Sequence, residues 1–449
     1  MTTMHRPALN DSRALLLARI LQALSDAHIP VCLLNSYDTL ESQASSDIDC
    51  RIASEQLPTA VVKALHSNGV VVLQDFQRES STHVLVLVDC NLPGSSMIWL
   101  DAGSDFREAG RIYYQGSAVL HSAVTAGDFM IPQPEIEFGH YLIKKIVQKS
   151  LDEPSGSRLS ALYRRNPSGS AAEISKFWTP STAARLIDAA ESEVWGFVQR
   201  DMDIIRSELL REARRRRPSN LPKYWLPEFS RRLRRFCAPA GLHVVFLGAD
   251  GSGKSSVIDQ VEAKLNGAFR GTSHFHLFPG LFRQSGDGRP VTDPHRLRPR
   301  SSIVSIAKVF IWVVDYFLGY YVKVRPKLVR SNLVLFDRYF PDILVDPRRY
   351  RYGGPEALNR FIWNILPKPA LVILLDAPVT VLHQRKQEVP WDETVRQRDA
   401  YRKLVADMPN GHIVDASQSL NDVVEDVSAI IRAHLSSRLL KRLRLGAQQ

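Results

Sequence analysis

The chain has 449 residues, too many for one ordinary core, so two or three domains are expected. Hydrophobic residues at 44% and charged residues at 23% place it among globular proteins and exclude a disordered or fibrous chain. The net charge of +11 gathers in blocks (Arg214–Arg217, Arg231–Arg235, Arg296–Arg300 and Arg438–Arg444) that suit phosphate-rich ligands, acidic membrane surfaces, nucleic acid or a solvated face. Cys32, Cys50, Cys90 and Cys237 form no CxxC pair, which leaves out a disulfide framework and a zinc site and fits a reducing compartment. The opening MTTMHRPALNDSRALLLARIL has no uninterrupted apolar core before a small-residue cleavage site, so it reads as a first helix rather than a signal peptide.

Residues 1–125 alternate helical and strand patterns. VVVLQDF, HVLVLVD and MIWLDA read as strands, and NLPGSS as the hairpin between the last two. Asn35 and Ser36 precede Ser46-Asp47-Ile48-Asp49, and Asp101 ends a later strand. Asp47 and Asp49 project to one strand face, and with Asp101 they suit Mg²⁺ held against a nucleotide triphosphate. This pattern resembles the nucleotidyltransferase fold over about residues 15–125. It departs from it where Asn35-Ser36 replaces the usual Gly-Gly or Gly-Ser.

Residues 126–235 read as helices in PEIEFGHYLIKKIVQKSL and AARLIDAAESEVWGFVQRDMDIIRSELLREA, followed by a basic linker, RRRRPSNLPKYWLPEFSRRLRRF, broken by three prolines. From residue 241 to 435 strands and helices alternate: HVVFLG, a helix from Lys254, LVLFD, ALVILLD and HIVD. A parallel sheet covered by helices on both faces follows. Within this region, SIVSIAKVFIWVVDYFLGYYVKV is long and apolar. Ser305, Lys308, Trp312, Asp315, Gly319 and Lys323 nonetheless mark one polar stripe, which suits a buried helix facing a site. Residues 436–449 form a basic amphipathic tail, with two readings: contact with an anionic membrane surface, or simply an exposed terminal helix.

FLGADGSGKSS, at 246–256, matches Gly-x4-Gly-Lys-Ser/Thr between a strand and a helix. In Gly248, Gly251, Ser252, Gly253, Lys254, Ser255 and Ser256, glycines and the helix N-terminus turn backbone N–H groups toward phosphate oxygens. Lys254 reaches the β- and γ-phosphates, and Ser255 ligates Mg²⁺. ATP and Mg²⁺ are the expected cofactors. Residues 241–435 resemble the thymidylate kinase-like family of P-loop kinases, through GADGSGKSS, LVLFDRY, Asp315, PALVILLDAPVTVLHQRK and VDASQSLNDVVEDV. The resemblance implies that Asp337 holds Mg²⁺ or orients the acceptor, and that Arg338 binds the acceptor phosphate or the moving phosphoryl group. It implies that Asp250 bonds acceptor hydroxyls, and that Arg385, Lys386, Arg396 and Arg398 form a basic lid.

Tyr316 stands where that family has an arginine that helps read thymine, and FPDILVDPRRYRYGGP replaces its base-reading run. Candidate acceptor groups are His274, His276, Arg283, Asp293, His295, Arg348, Arg349 and Arg351. VTDPH, FDRYF…LVDPRRYRYGG and RQRDAYRKL, together with the front domain, resemble thymidylate kinase-like proteins of bacterial polysaccharide gene clusters. That likeness implies a sugar, glycolipid or lipopolysaccharide-precursor acceptor. Three functions stay open: a kinase of a carbohydrate-type acceptor, a thymidylate kinase, and an ATP-binding regulatory or scaffold protein. The expected setting is cytoplasmic, with a small-molecule or glycan acceptor, at most peripheral membrane contact and a homodimer left open. No motif supports nucleic acid.

Overall fold

The structure is a computed structural model, and it describes residues 12–34, 47–89, 97–216, 218–281, 298–387 and 389–445. The chain divides into two compact units, residues 1–233 with 438–449, and residues 234–437.

In the first unit nine strands are described: β1 (Cys32–Leu33), β2 (Asp47–Arg51), β3 (Val71–Glu79), β4 (Thr82–Val88), β5 (Met97–Gly103), β6 (Asp105–Glu108), β7 (Arg111–Gln115), β8 (Val124–Ala126) and β9 (Phe129–Ile131). Seven of them make one mixed sheet in the order β3-β4-β5-β2-β1-β9-β8. β4 and β5 run antiparallel, as the expected hairpin requires, while β2 and β5 run parallel. The helix Ser12–Asp26 buries Leu16, Ile20 and Leu24, spaced four apart along one stripe, against Ile48, Leu85 and Leu100 of the sheet.

The helices from Pro134 to Arg216 form a second core around Phe138, Leu142, Leu159, Trp178, Leu186 and Leu209. The basic tail is not free of this unit. Leu439 is buried in the core of the helix Ser12–Asp26, with Leu440, Leu443 and Leu445 packed beside it. Its leucines are thereby occupied, which removes the apolar face that a membrane-touching tail would present.

The basic segment expected as a linker is helical: Asn220–Cys237 is one helix, and the boundary between the two units falls within it. Pro218 precedes it and Pro222 falls in its first turn, where an N–H has no intrahelical partner anyway. Only Pro227 lies in its interior.

In the second unit β10 (Leu242–Leu247), β11 (Thr272–His276), β12 (Leu333–Asp337), β13 (Leu371–Asp376) and β14 (Gly411–Asp415) are all parallel, in the order β11-β12-β10-β13-β14. β10 and β13 are buried along their whole length, as strands covered on both faces must be, which is why they read as unbroken apolar runs. The chain leaves β10 toward β11 and β12 on one side and then crosses to β13 on the other. The loop after β10 therefore lies at the topological switch point, where open α/β sheets bind ligands.

The apolar helix Ser302–Gly319 continues through a wider turn at Tyr320–Val324 to Val329, and by length and composition it could cross a membrane. Its stripe of Ser305, Trp312, Asp315 and Gly319 does face inward. The rest is not buried as expected, since Ile303, Phe310, Ile311, Leu318 and Val322 are exposed.

Candidate active site

β10 runs into a turn in which Gly248, Gly251 and Gly253 all hold positive φ, and the helix Lys254–Leu265 follows at once. A Cβ on Gly248 would stand 2.8 Å from the Leu375 carbonyl oxygen, and one on Gly251 would stand 2.6 Å from that of Leu382. These two glycines are required by close packing as well as by conformation. Gly253 differs: at φ +82° nothing lies within 4 Å of where its Cβ would be, so the space over the helix N-terminus is open. Ser255 and Ser256 are exposed there, and Ser252 is buried beneath. This is the geometry of an anion cradle, with N–H groups and the positive helix end directed at open space.

Lys254 is buried, and its Nζ donates to the carbonyl oxygens of Gly248 (2.9 Å) and Ala249 (3.0 Å). Burial and the nearby Arg338 charge bring its ammonium down to about 8, against the pull of Asp337, Asp250 and Asp342. The ammonium thus rests on its own loop, on neutral acceptors that a phosphate would displace.

Asp337 ends β12, in register with Phe246 of β10 on one side and His276 of β11 on the other. Its Oδ1 is buried without a hydrogen-bond partner. An unmatched buried carboxylate oxygen is costly unless something else satisfies it. That oxygen and the exposed Ser255 hydroxyl are the donor types Mg²⁺ takes, so these residues fit the cation.

The next residue, Arg338, has φ +69° and is buried. Its guanidinium spans two carboxylates, Asp250 at 2.5 Å and Asp342 at 2.7 Å, and Arg349 takes the second oxygen of Asp250 at 2.6 Å. Asp342 is fully buried and also accepts from Tyr350 (2.5 Å) and Tyr401. Burial pushes the Asp250 carboxyl up, but Arg338, Arg349 and Lys254 outweigh it and hold it well below the usual carboxylate range. The same balance, with Arg338 as the main opposing charge, keeps Asp342 low. Asp250, expected to bond acceptor hydroxyls, here has one oxygen on each of two guanidinium groups.

The expected lid does not form one cluster. Arg385 donates to the Ala416 carbonyl oxygen (2.9 Å) from an exposed position, with Lys386 exposed next to it. Arg396 is turned to Glu393 and the Val345 carbonyl oxygen. Arg398 binds Asp376, at the end of β13, through both oxygens, and Arg402 joins the same carboxylate. Among the acceptor candidates, His274 pairs with Glu262 at 2.5 Å, His276 and Arg348 are exposed, and Arg351 donates to the Arg298 carbonyl oxygen. Arg283, Asp293 and His295 lie outside the described residues.

Tyr316 is turned into the core. It is fully buried, its hydroxyl donates to the Leu277 carbonyl oxygen at 2.6 Å, and its ring meets Tyr339 edge-on. Asp315 accepts from the Leu281 amide (2.6 Å). The sequence reading missed Asp342, Tyr350 and Tyr401, whose one visible signal was a carboxylate four residues after Arg338.

In the first unit Asp49 and Asp101 are register partners on neighbouring parallel strands, with Asp47 two residues earlier on the same face. Arg78 bonds Asp101 at 3.0 Å and Lys144 stands 3.6 Å from Asp49. Burial first, then the Asp49 charge, raise the Asp101 carboxyl against these cations. Among the described residues no three His, Cys, Asp or Glu side chains gather as a metal site, so the expected centre of Asp47, Asp49 and Asp101 is not assembled. Asn35, Ser36 and Ser46 lie outside the described residues.

No protein-family model matches the chain. It is 25% identical over 207 residues to a thymidylate kinase of Xanthomonas euvesicatoria pv. vesicatoria, a match covering 45% of this chain and 88% of that protein. It is 27% identical over 219 residues to a thymidylate kinase of Bifidobacterium longum subsp. infantis, covering 44% and 88%. A crystal structure of thymidylate kinase from Ehrlichia chaffeensis overlays with a TM-score of 0.31 at 14% identity, over 43% of this chain and all of that one. The second unit, with its phosphate loop and parallel sheet, is a P-loop phosphotransferase of thymidylate kinase-like type.

Proposed function

We propose that the chain is a Mg·ATP-dependent kinase whose acceptor is a nucleoside monophosphate, with thymidylate the first to test. The observation that carries this reading is the pair of guanidinium groups, Arg338 and Arg349, converging on the single carboxylate Asp250 beside the phosphate loop. Arg338 is fixed from two sides and buried. Arg349 is only partly buried and holds one bond to the loop, so it is the cation an incoming acceptor phosphate recruits. Two arginines held in place suit phosphoryl transfer, where positioning and charge neutralisation supply most of the rate.

Lys254 would exchange its loop carbonyls for the β- and γ-phosphates, and Ser255 and Asp337 would hold Mg²⁺. When bound, that ion neutralises charge on the phosphate oxygens. Among the described residues nothing in the site favours a sugar or glycolipid acceptor; Tyr316, sealed in the core, supplies no base-reading group, and the thymidylate arm of the assay below weighs that departure. The relatives named above are thymidylate kinases, which supports the same reading.

The test is ADP release from Mg·ATP with thymidylate, other nucleoside monophosphates, simple sugars and lipopolysaccharide core fragments, for the native chain and Lys254→Ala. Turnover with a nucleoside monophosphate, absent from the variant, is the expected result. Turnover with an unphosphorylated sugar alone would overturn the acceptor assignment, and bound ATP without turnover on any acceptor would favour a regulatory protein.

A further inference from the structure

The helix Asn220–Cys237 is inside out. Within the first unit its inner side is polar: Glu228 is buried and accepts from the Ser80 amide, and Arg231 is buried, bonding Glu228 (2.9 Å) and the Gln77 carbonyl oxygen (3.0 Å). Its outer side carries Trp225, Leu226, Phe229 and Leu233, spaced three and four apart along one stripe. Leu226 is 73% exposed and Phe229 70%. A helix that faces only water keeps its apolar stripe inward, so this one is shaped for something that covers it.

The charges around the stripe say what covers it. Lys223 and Arg232 flank it and are exposed, and Arg232 lies over the Trp225 ring at 5.4 Å. Between residues 220 and 233 the sole acid is Glu228, and it is turned inward. A second copy of this face would therefore set cation against cation with no carboxylate of the helix to pair them. An anionic lipid surface has neither problem. It takes Leu226, Phe229 and Leu233 into its acyl boundary, seats Trp225 at headgroup level, and draws Lys223 and Arg232 to its phosphates.

We propose that this helix docks the protein peripherally on an anionic membrane surface. The proposal stands apart from the kinase reading, since these residues belong to the first unit and the phosphate loop with its arginines to the second.

The experiment is co-sedimentation of the full chain with vesicles of phosphatidylcholine alone or mixed with phosphatidylglycerol. Native protein is compared with the double variant Leu226→Glu, Phe229→Glu and with Arg232→Glu. Binding to the anionic vesicles alone is expected, falling about tenfold or more in each variant. It should weaken as salt rises from about 0.1 M to about 1 M, where the screening length shrinks from ~10 Å to ~3 Å. Thermal midpoint and ATP binding report folding, and the two most exposed side chains can change without opening a cavity. The proposal is overturned if the native chain ignores both vesicle types, or if the variants sediment like the native chain. A native dimer that the double variant dissolves, with no vesicle binding, would instead assign the stripe to a second copy.

Discussion

In the second unit three carboxylates near the ends of parallel strands are sorted by arginines into separate tasks: Asp250 and Asp342 are held as anions by Arg338 and Arg349, and Asp337 keeps a buried oxygen unmatched. In the first unit Asp49 and Asp101 also sit side by side at neighbouring strands, but each faces a cation that is part of the fold, Lys144 and Arg78. The two pairs differ in what their neighbours do: the arginines of the second unit hold Asp250 and Asp342 as anions, whereas at Asp101 burial and the Asp49 charge outweigh Arg78 and raise the carboxyl.

The sharpest way to break this contrast is in turnover. Lys254→Ala should lower it about a thousandfold, while Asp49→Asn and Asp101→Asn leave it unchanged in the same ADP-release assay. A comparable loss from the front variants would make the first unit catalytic. Next comes Asp337→Asn. Because Oδ1 has no protein partner, turnover should fall about a hundredfold with the denaturation midpoint nearly unmoved, and an equal loss of stability would make Asp337 structural.

Asp342→Ala should do the reverse and destabilise by about 3–5 kcal/mol in urea titrations, since it removes one of two carboxylates from a buried guanidinium and the acceptor of the Tyr350 and Tyr401 hydroxyls. Asp101→Ala, whose partner Arg78 is largely exposed, should cost at most about 1 kcal/mol.

A milder effect is expected from pH. ATP binding needs Lys254 charged. Burial brings that ammonium to about 8 in the free protein, so affinity should hold below pH 8 and fall as pH rises through it, read by calorimetry. An unchanged affinity to pH 9 would mean that the ammonium is not the phosphate partner.

The smallest expected effect is shared by both units. Burial lowers His243 to about 3, and burial with Arg51, Lys144 and Arg158 lowers His140. A depressed histidine contributes stability that is complete above its unfolded value, about 6.5, and lost as pH falls toward the folded value. His243→Phe should flatten the decline in melting temperature below pH 6.5, and a decline as steep as that of the native chain would assign it to other groups.

Much of the second unit was legible because its strands are apolar on both faces and its loop needs glycine at fixed positions. Both facts are written in residue types. Asp342 was harder: only the left-handed turn at Arg338 brings the guanidinium back between two carboxylates, and no composition signals that turn. That Tyr316 replaces an arginine is written in the sequence, but the burial of its ring against Tyr339 is set by packing from distant segments. The helical state of the segment through Pro222 and Pro227 was masked by its prolines, although Pro222 falls in the first turn, where no intrahelical N–H bond is lost. In the first unit the strand pattern was visible, but Lys144 and Arg78 come from distant segments and their meeting with Asp49 and Asp101 could not be read locally.

The helix Leu420–Arg442 has one further consequence. It starts among residues of the second unit, yet Leu439 belongs to the core under the helix Ser12–Asp26. During synthesis the first unit therefore waits with that core unfinished until the whole of the second has been made. A chain cut after residue 437 would lose a piece of the domain it seems farthest from, and a protease acting there would be expected to loosen the front of the molecule before the kinase-like half.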